Sequence, residues 1–144
     1  MKQSLLIFLS VFLLTATANT AQAFDKKGLA KLKKTKKCVK CDLRGAKLTK
    51  ANLGGAYLMG ANLDAADLSG ATLNYANLSE ADLTKANLSE AKLTKANLSG
   101  ANLSKAKLYK TNLSGVKLEG ATWTDGKKKC KKVSLRSRLA GKCK

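Results

Sequence analysis

The sequence predicts an all-β solenoid of square coils, and two regularities carry that prediction. Leucine recurs at every fifth position from Leu43 to Leu118, sixteen times without a gap, and Trp123 takes the next place. The residue two positions before is Ala in fourteen of these seventeen repeats. Helices repeat apolar positions about every 3.6 residues and strands about every 2. A period of five therefore indicates a chain that turns a corner every five residues, and four such sides close a coil of about twenty residues.

The composition of each repeat fits a narrow, packed interior. A large and a small residue at fixed offsets allow successive coils to stack without voids. The other three positions carry Asn, Asp, Lys, Ser, Thr and Gly, which are typical of turns and solvent-facing surface. Segments such as Ala-Asn-Leu-Ser-Glu at 76–80 and Ala-Asp-Leu-Thr-Lys at 81–85 show the pattern at its most regular.

These segments resemble the pentapeptide-repeat family, whose motif is A-(N/D)-L-x-x, and the resemblance covers residues 41–125. It implies a right-handed quadrilateral β-helix with the Leu and the small residue both inside. At about 4.8 Å between stacked strands, some four coils would form a rod roughly 20 Å long. We also expect short caps at both ends, because an open solenoid end exposes unpaired backbone and apolar interior.

The first 23 residues have the pattern of a cleaved secretory signal peptide. A short basic start is followed by an apolar run at 5–14, and Ala21-Gln22-Ala23 fits the small-x-small cleavage site before Phe24. The run of ten residues is short for a membrane span, which makes a retained anchor the weaker alternative. We therefore expect an exported protein, periplasmic or secreted, that begins near Phe24.

The formal net charge of +19 is unevenly distributed along the chain. Residues 41–125 hold ten basic and eight acidic residues, so the solenoid is nearly neutral. The N-terminal flank at 24–40 holds eight Lys and one Asp, and the C-terminal flank at 126–144 holds nine basic residues and no acid. This distribution predicts a neutral rod with two basic ends.

Both flanks have the pattern of caps. Phe24, Leu29, Leu32 and Thr35 fall on one side of a short helix that would lie across the first coil. Val133, Leu135 and Leu139 would cover the far end after Trp123. The basic residues of the two caps are the candidate anion-binding residues: Lys33, Lys34, Lys36, Lys37, Lys127, Lys128, Lys129, Lys131, Lys132, Arg136 and Arg138. Alternatively, these side chains only keep the caps soluble.

The four cysteines lie in or beside the same two flanks. An even number in an exported chain predicts disulfides. Because the two ends lie on the order of 20 Å apart and bonded Cα atoms lie within about 7 Å, the intramolecular set that fits is Cys38–Cys41 with Cys130–Cys143. A redox-active Cys-Val-Lys-Cys motif is the alternative, but it requires an exposed nucleophile at a helix start.

The sequence argues against an enzyme. It contains no histidine, its acids are scattered over outward positions, and Leu and Ala fill the interior, so we expect no catalytic residue, cofactor, metal or small-molecule pocket. Some family members resemble DNA in shape and negative charge and occupy gyrase, but the acidic surface that such mimicry needs is missing here. Nucleic-acid binding by the tails is disfavoured because no aromatic residue follows Trp123.

Two partner classes remain after these exclusions. The first hypothesis is a scaffold whose basic ends contact an anionic envelope polymer or lipid surface. The second is a protein-interaction module that uses a flat side of the solenoid, such as the one bearing Tyr57 and Met59. Nothing in the sequence decides the oligomeric state.

Overall fold

The computed structural model describes residues 25–126, and within them the chain winds into a coil that repeats every twenty residues. Residues twenty apart pair in parallel β-bridges, from Lys37↔Tyr57 to Asn102↔Thr122. Each bridge is a single residue pair, so the sides of the coil are short bridges and not longer strands. Four five-residue repeats make up this separation, as the leucine period predicts. The total number of coils stays a prediction, since residues 127–144 lie outside the described part.

The ladder between coils starts at each inward leucine. Its N–H donates to the carbonyl of the residue nineteen positions later, as in Leu43 to Asn62 and Leu83 to Asn102, at 2.7 and 2.8 Å. The residue before the leucine donates in the opposite direction, as Asn62 does to Cys41 at 2.9 Å. Backbone groups that would otherwise be buried without partners are therefore satisfied by the neighbouring coil.

A tight turn forms each corner. The N–H of each small residue donates to the leucine carbonyl three positions earlier, as Ala46 does to Leu43 at 3.0 Å. The residue just before the small one has φ between 53° and 71° at every repeat from Lys40 to Gly120. A positive φ at the third turn position alone is the signature of a type II turn. Ten of these seventeen corner residues are not glycine, although only glycine adopts this conformation without cost.

The core consists of the repeated leucine and the small residue two positions before it, as predicted. Inward leucines from Leu43 to Leu103 are at most 2% exposed, and the inward alanines from Ala61 to Ala101 are fully buried. Among residues 25–126 no polar or charged residue is buried. The interior is thus a dry column of stacked Leu and Ala layers, and it belongs to one continuous cluster.

Asn or Asp precedes ten of the sixteen leucines, and at these positions it has a structural role. Its Oδ1 accepts a hydrogen bond from the N–H two residues later, as Asn77 does from Ser79 at 3.1 Å and Asn97 does from Ser99 at 3.0 Å. The same bond forms at ten repeats. This N–H enters the turn and would otherwise need solvent, so an Asx side chain stabilises the corner locally.

A helix precedes the first coil. Helix α1 spans Lys26–Thr35; the Asp25 side chain caps its start by accepting from the Lys27 N–H at 2.9 Å, and Lys36 ends it with φ 55°. Leu32 is fully buried and Leu29 partly so. The predicted helical cap is present, but the expectation that Thr35 shares its inner side is wrong. Thr35 is exposed, and its hydroxyl donates back along the helix to the Lys31 carbonyl at 2.8 Å.

At the other end the apolar residues are less well covered. Leu108 and Trp123 pack against the core but are partly exposed. The residues expected to cover them, Val133, Leu135 and Leu139, lie outside the described residues, as does Phe24. The predicted C-terminal cap therefore stays a prediction.

Candidate interaction surfaces

Helix α1 is attached to the first coil by backbone and side-chain groups. The Asp25 N–H donates to the Asp42 carbonyl at 2.9 Å, and the Lys36 ammonium donates to the Gly54 carbonyl at 3.2 Å. In later coils the equivalent carbonyls accept from the preceding coil, as Asn62 does from Leu43 and Asn74 does from Gly55. The helix and its capping residue thus replace part of a missing coil, which is how a solenoid edge is protected from pairing with other chains.

A disulfide joins Cys38 and Cys41 beneath the helix, with their Cα atoms 5.4 Å apart. Cys38 takes the place of an inward leucine and is fully buried, whereas Cys41 takes the small inward position and is partly buried. The Cys38 sulfur lies 3.1 Å from the Gly28 carbonyl oxygen. A disulfide sulfur carries no proton, so this is a packing contact between helix and coil. A redox motif with an exposed nucleophile does not match a buried Cys38.

Cys130 and Cys143, the other two predicted disulfide cysteines, lie outside the described residues. The same holds for most of the candidate anion-binding residues: Lys127, Lys128, Lys129, Lys131, Lys132, Arg136 and Arg138.

Of the four candidate anion-binding lysines at the N-terminal end, two lie on the helix and two follow it and contact the neighbouring coil. Lys33 and Lys34 are exposed in the last turn of α1, where positive charge also offsets the helix dipole. Lys36 is half-buried and holds the Gly54 carbonyl. The ammonium of Lys37 lies 5.9 Å from the centre of the Tyr57 ring. Lys36 therefore has a structural role that the sequence did not indicate, because its carbonyl partner is eighteen residues away.

Four further lysines of this end were not among the candidate anion-binding residues, and they are exposed as well: Lys26, Lys27, Lys31 and Lys40. Sequence reasoning also missed Val39, which is 47% exposed. Val39 lies one coil below Met59, so the twenty-residue stacking rule would have found it had the rule been extended before residue 41.

The outward side chains of neighbouring coils meet largely as the twenty-residue register predicts. The Lys95 ammonium lies 5.7 Å from the centre of the Tyr75 ring. The same register places Lys110 one coil from Glu90, but its ammonium lies over its neighbour Tyr109, 5.2 Å from the ring centre. Within residues 25–126, Arg44 and Asp42 form an ion pair, with 2.7 Å between Nη2 and Oδ2. Exposed pairs of this kind contribute little to stability.

Two carboxylates of the solenoid, Asp67 and Asp42, accept several hydrogen bonds at the turns. Asp67 accepts from the Ser69 hydroxyl at 2.7 Å, from the Ser69 N–H at 3.0 Å and from the Thr49 hydroxyl at 2.8 Å. These bonds hold the pKa of Asp67 below its usual value, with the Ser69 hydroxyl the largest cause. The pKa of Asp42 is also lowered, chiefly by its hydrogen bonds from the Arg44 side chain. Both groups are acceptors in local hydrogen-bond networks, and neither is poised for proton transfer at neutral pH.

Two further observations apply to the described part of the chain. In residues 25–126 no three or more His, Cys, Asp or Glu side chains are grouped so that they could hold a metal ion. Over the same residues there is no helix with the length and apolar character needed to cross a membrane.

The chain belongs to the pentapeptide-repeat family. The sequence profile of the family described as pentapeptide repeats matches eight copies, at residues 37–64, 61–100 and 86–122, which together make up more than half of the chain. This confirms the resemblance read from the repeats. The family's fold is the right-handed quadrilateral β-helix, and the match indicates no enzyme family.

A solved structure gives the same identification. A pentapeptide repeat protein from Nostoc PCC 7120 is 40% identical with a TM-score of 0.57, over 67% of this chain and 77% of that one. One from the Arabidopsis thaliana thylakoid lumen is 37% identical with a TM-score of 0.46, over 54% of this chain and 58% of that one. This chain thus spans less than two thirds of the lumenal protein's length. No curated protein sequence matches the chain.

Proposed function

We propose that this chain is an exported, non-enzymatic scaffold that contacts an anionic component of the cell envelope through its basic ends. The observation that carries this proposal is the position of the charge. Residues 25–40 hold eight lysines and a single acid, and seven of those lysines are exposed on one end of a nearly neutral rod. A compact cluster of one sign attracts polyanions and gives binding that weakens as salt rises.

Rigidity of the N-terminal end supports the same function. The helix that carries Lys33 and Lys34 is fixed to the first coil by the buried Leu32, by the Asp25–Asp42 backbone bond and by Lys36. The charges are therefore presented at fixed positions on a stable platform, which lowers the entropy lost on binding. The C-terminal flank would add a second basic end in the same way.

The interior supports a scaffold and not a catalyst. Leu and Ala layers fill the column from Leu43 to Leu103, and Asp67 and Asp82 accept hydrogen bonds within turns. Export rests on the pattern of residues 1–23, which lie outside the described residues. Sequencing the N-terminus of the secreted or periplasmic protein tests that part: a start at Phe24 supports export, and a retained Met1 in the cytoplasm contradicts it.

A titration with lipid vesicles tests the anionic contact. The purified protein is added to vesicles that contain phosphatidylglycerol and to neutral vesicles, at about 50 and about 500 mM salt. We expect binding to the anionic vesicles alone, with a large loss of affinity at high salt. Binding that is unchanged across this salt range, or equal on the neutral vesicles, would overturn the proposal.

A pair of charge-reversal variants locates the contact. Lys33→Glu/Lys34→Glu changes two exposed lysines of α1, and Lys85→Glu/Lys105→Glu changes two exposed lysines of the solenoid side by the same total charge. Corner positions already accept glutamate at Glu80 and Glu90, so the control variant is compatible with the fold. We expect the helix variant to weaken binding several times more than the control. Equal losses would mean that net charge, and not the basic end, attracts the anion.

A second candidate function is the docking of a protein on a flat side of the solenoid. The observation in its favour is that Tyr57 and Met59 are 55% and 38% exposed, next to each other on one side of the coil. Removal of Lys-rich residues 126–144 should leave such binding intact, whereas it should weaken an electrostatic contact at the C-terminal end.

A further inference from the structure

Three exposed apolar side chains lie together at the start of one side of the solenoid. Val39, Tyr57 and Met59, which we call the apolar patch, make up three of the five large apolar residues that are exposed in residues 25–126. The other two, Tyr75 and Tyr109, lie in repeats that belong to other sides of the coil. Contiguous exposed apolar surface on a soluble rod marks an interaction site more often than scattered single residues do.

The register of the first two coils brings the patch together. Lys37 is bridged to Tyr57, and the flanking backbone bonds run from the Cys38 N–H to the Tyr57 carbonyl at 2.8 Å and from the Lys40 N–H to the Met59 carbonyl at 2.9 Å. The backbone of Val39 therefore lies about 4.8 Å from that of Met59, in the neighbouring coil. Tyr57 and Met59 flank the inward Leu58 and are both exposed, Tyr57 at the bridge and Met59 in the turn that follows it.

The patch is rigid before any partner binds. Val39 lies between the two cysteines of the Cys38–Cys41 disulfide, and its coil is bonded to the next through both flanking amides. Backbone hydrogen bonds on this side are already made, so a partner would bind through side chains and not by adding a strand. Tyr and Met are enriched in the centres of protein interfaces, where they supply large, adaptable contact areas.

The charges around the patch are of one sign. Lys37 lies over Tyr57, and Lys40 places its aliphatic stem over Gly60, since a Cβ built on that glycine would lie 3.2 Å from the Lys40 Cγ. Neither the repeat 36–40 nor the repeat 56–60 contains an acidic residue, and the next acid on this side is Glu80. A complementary partner therefore combines carboxylates with apolar side chains.

The rest of this side distinguishes a protein partner from a lipid surface. In the next two coils the positions of Tyr57 and Met59 are taken by Asn77 and Ser79, then by Asn97 and Ser99. A membrane that reached the patch along this flat side would have to desolvate those polar residues as well, at a cost that three apolar side chains do not offset. A protein segment can cover the patch alone.

We propose that the apolar patch, with Lys37 and Lys40 at its margins, docks an acidic segment of another protein that carries aromatic or aliphatic side chains. This inference deepens the second candidate function, the docking of a protein on a flat side of the solenoid, and it rests on that function. It adds a defined site beside the basic helix and a chemical class of partner.

A labelled peptide in which Glu alternates with Leu and Phe serves as the probe, and its fluorescence anisotropy is measured with the purified, oxidised protein at about 150 mM salt. The test variant is Tyr57→Asn/Met59→Ser, which makes the repeat 56–60 identical to 96–100 and therefore suits the fold. The matched control is Tyr75→Ala, which removes another exposed tyrosine with a lysine over its ring and places at this corner the residue found at Ala65.

We expect the protein to bind this peptide, the patch variant to lose about tenfold or more in affinity, and the control to stay within about twofold. A peptide with Lys in place of Glu should bind far more weakly. Failure of the protein to bind the acidic peptide, equal affinity of the patch variant, or equal binding of the Lys peptide would each overturn the inference.

The same variants separate this inference from the proposed function. Loss of vesicle binding in Tyr57→Asn/Met59→Ser, without any peptide binding, would assign the patch to a lipid surface and overturn the protein-docking site. Peptide binding that survives Lys33→Glu/Lys34→Glu while vesicle binding is lost would show two independent contacts. Absence of vesicle binding with intact, patch-dependent peptide binding would reject the envelope scaffold and keep the docking site.

Discussion

The central coils and the N-terminal end of this molecule are stabilised in different ways. In the central coils the repeats share a few interactions: an inward leucine, a buried alanine, backbone bonds to both neighbours and, in most repeats, an Asx side chain at the corner. The N-terminal end depends on individual residues that occur once, namely Leu32, Gly28, Lys36 and the Cys38–Cys41 disulfide. A repeated layer is stable because of its neighbours, whereas an end must supply its own closing contacts.

The two regions also differ in the chemistry that they expose. In the central coils, many outward Asn, Asp, Ser and Thr residues already form hydrogen bonds within the turns, as Thr84 does when its N–H donates to Asp82. The N-terminal end presents exposed lysines and the apolar patch. Residues that are not needed for internal bonds are available to partners, and both proposals therefore use residues of the N-terminal end.

The largest effect is expected in the central column. Leu83 is fully buried between coils that continue on both sides, whereas Leu118, in the last described coil, is 5% exposed. Leu83→Ala should destabilise the protein by about 2 to 5 kcal/mol, because a cavity forms between closed layers. Leu118→Ala should lower the free energy of unfolding by less, because the residues around it can relax more easily into the space left by the side chain. Equilibrium unfolding in urea compares them, and an equal loss in both variants would contradict the difference between centre and end.

The next effect concerns the disulfide of the N-terminal end. Cys38→Ala/Cys41→Ala removes a short cross-link and part of a buried side chain, which should cost about 2 kcal/mol. Hydrogen exchange should accelerate in α1, while amides of the central coils, such as Leu83, keep their protection. Accelerated exchange throughout the solenoid would show that the end and the centre unfold together. Mild reduction of the unmutated protein serves as the control, because it breaks the same bond without changing the sequence.

The smallest effect distinguishes backbone strain from packing at one corner. Gly55 has φ +67° and open space where a Cβ would lie, whereas its neighbour Gly54 has no positive φ and only ordinary contacts, the closest at 3.6 Å. Gly55→Ala should therefore cost about 1 kcal/mol from the left-handed conformation alone. Gly54→Ala should be neutral or slightly stabilising, because alanine restricts the unfolded chain. Thermal unfolding measures both, and equal midpoints would argue against strain at these corners.

Much of the fold was predictable because the repeat encodes it locally. The leucine period predicted the coil of twenty residues, and the offset alanine predicted the second inward position; both are confirmed by the bridges and the buried core. The pairing of Cys38 with Cys41 followed from the distance between the ends. The helix was readable from Leu29 and Leu32, although Thr35 was assigned to the wrong side.

Other features required the coordinates. The motif predicted only that Asn and Asp face the solvent. In the structure their side chains also accept a hydrogen bond from a turn N–H, which depends on the backbone geometry of the corner. Non-glycine residues at positive φ, such as Tyr75 and Glu80, contradict intrinsic preference, and the ladder between coils stabilises them nonetheless. Lys110 was paired with Glu90 by register, but a long flexible side chain has several neighbours in reach and lies over Tyr109.

The sequence by itself determined the repeat, the core and the division of charge along the chain, because each is a property of residues close together in the chain or spaced at a fixed period. Only the tertiary structure decided which residues of the N-terminal end are engaged in internal contacts and which are exposed. It placed the Lys36 ammonium on the Gly54 carbonyl, a contact between residues eighteen positions apart. Stacking of the coils brings these two residues together, although neither the local sequence nor the five-residue period marks them.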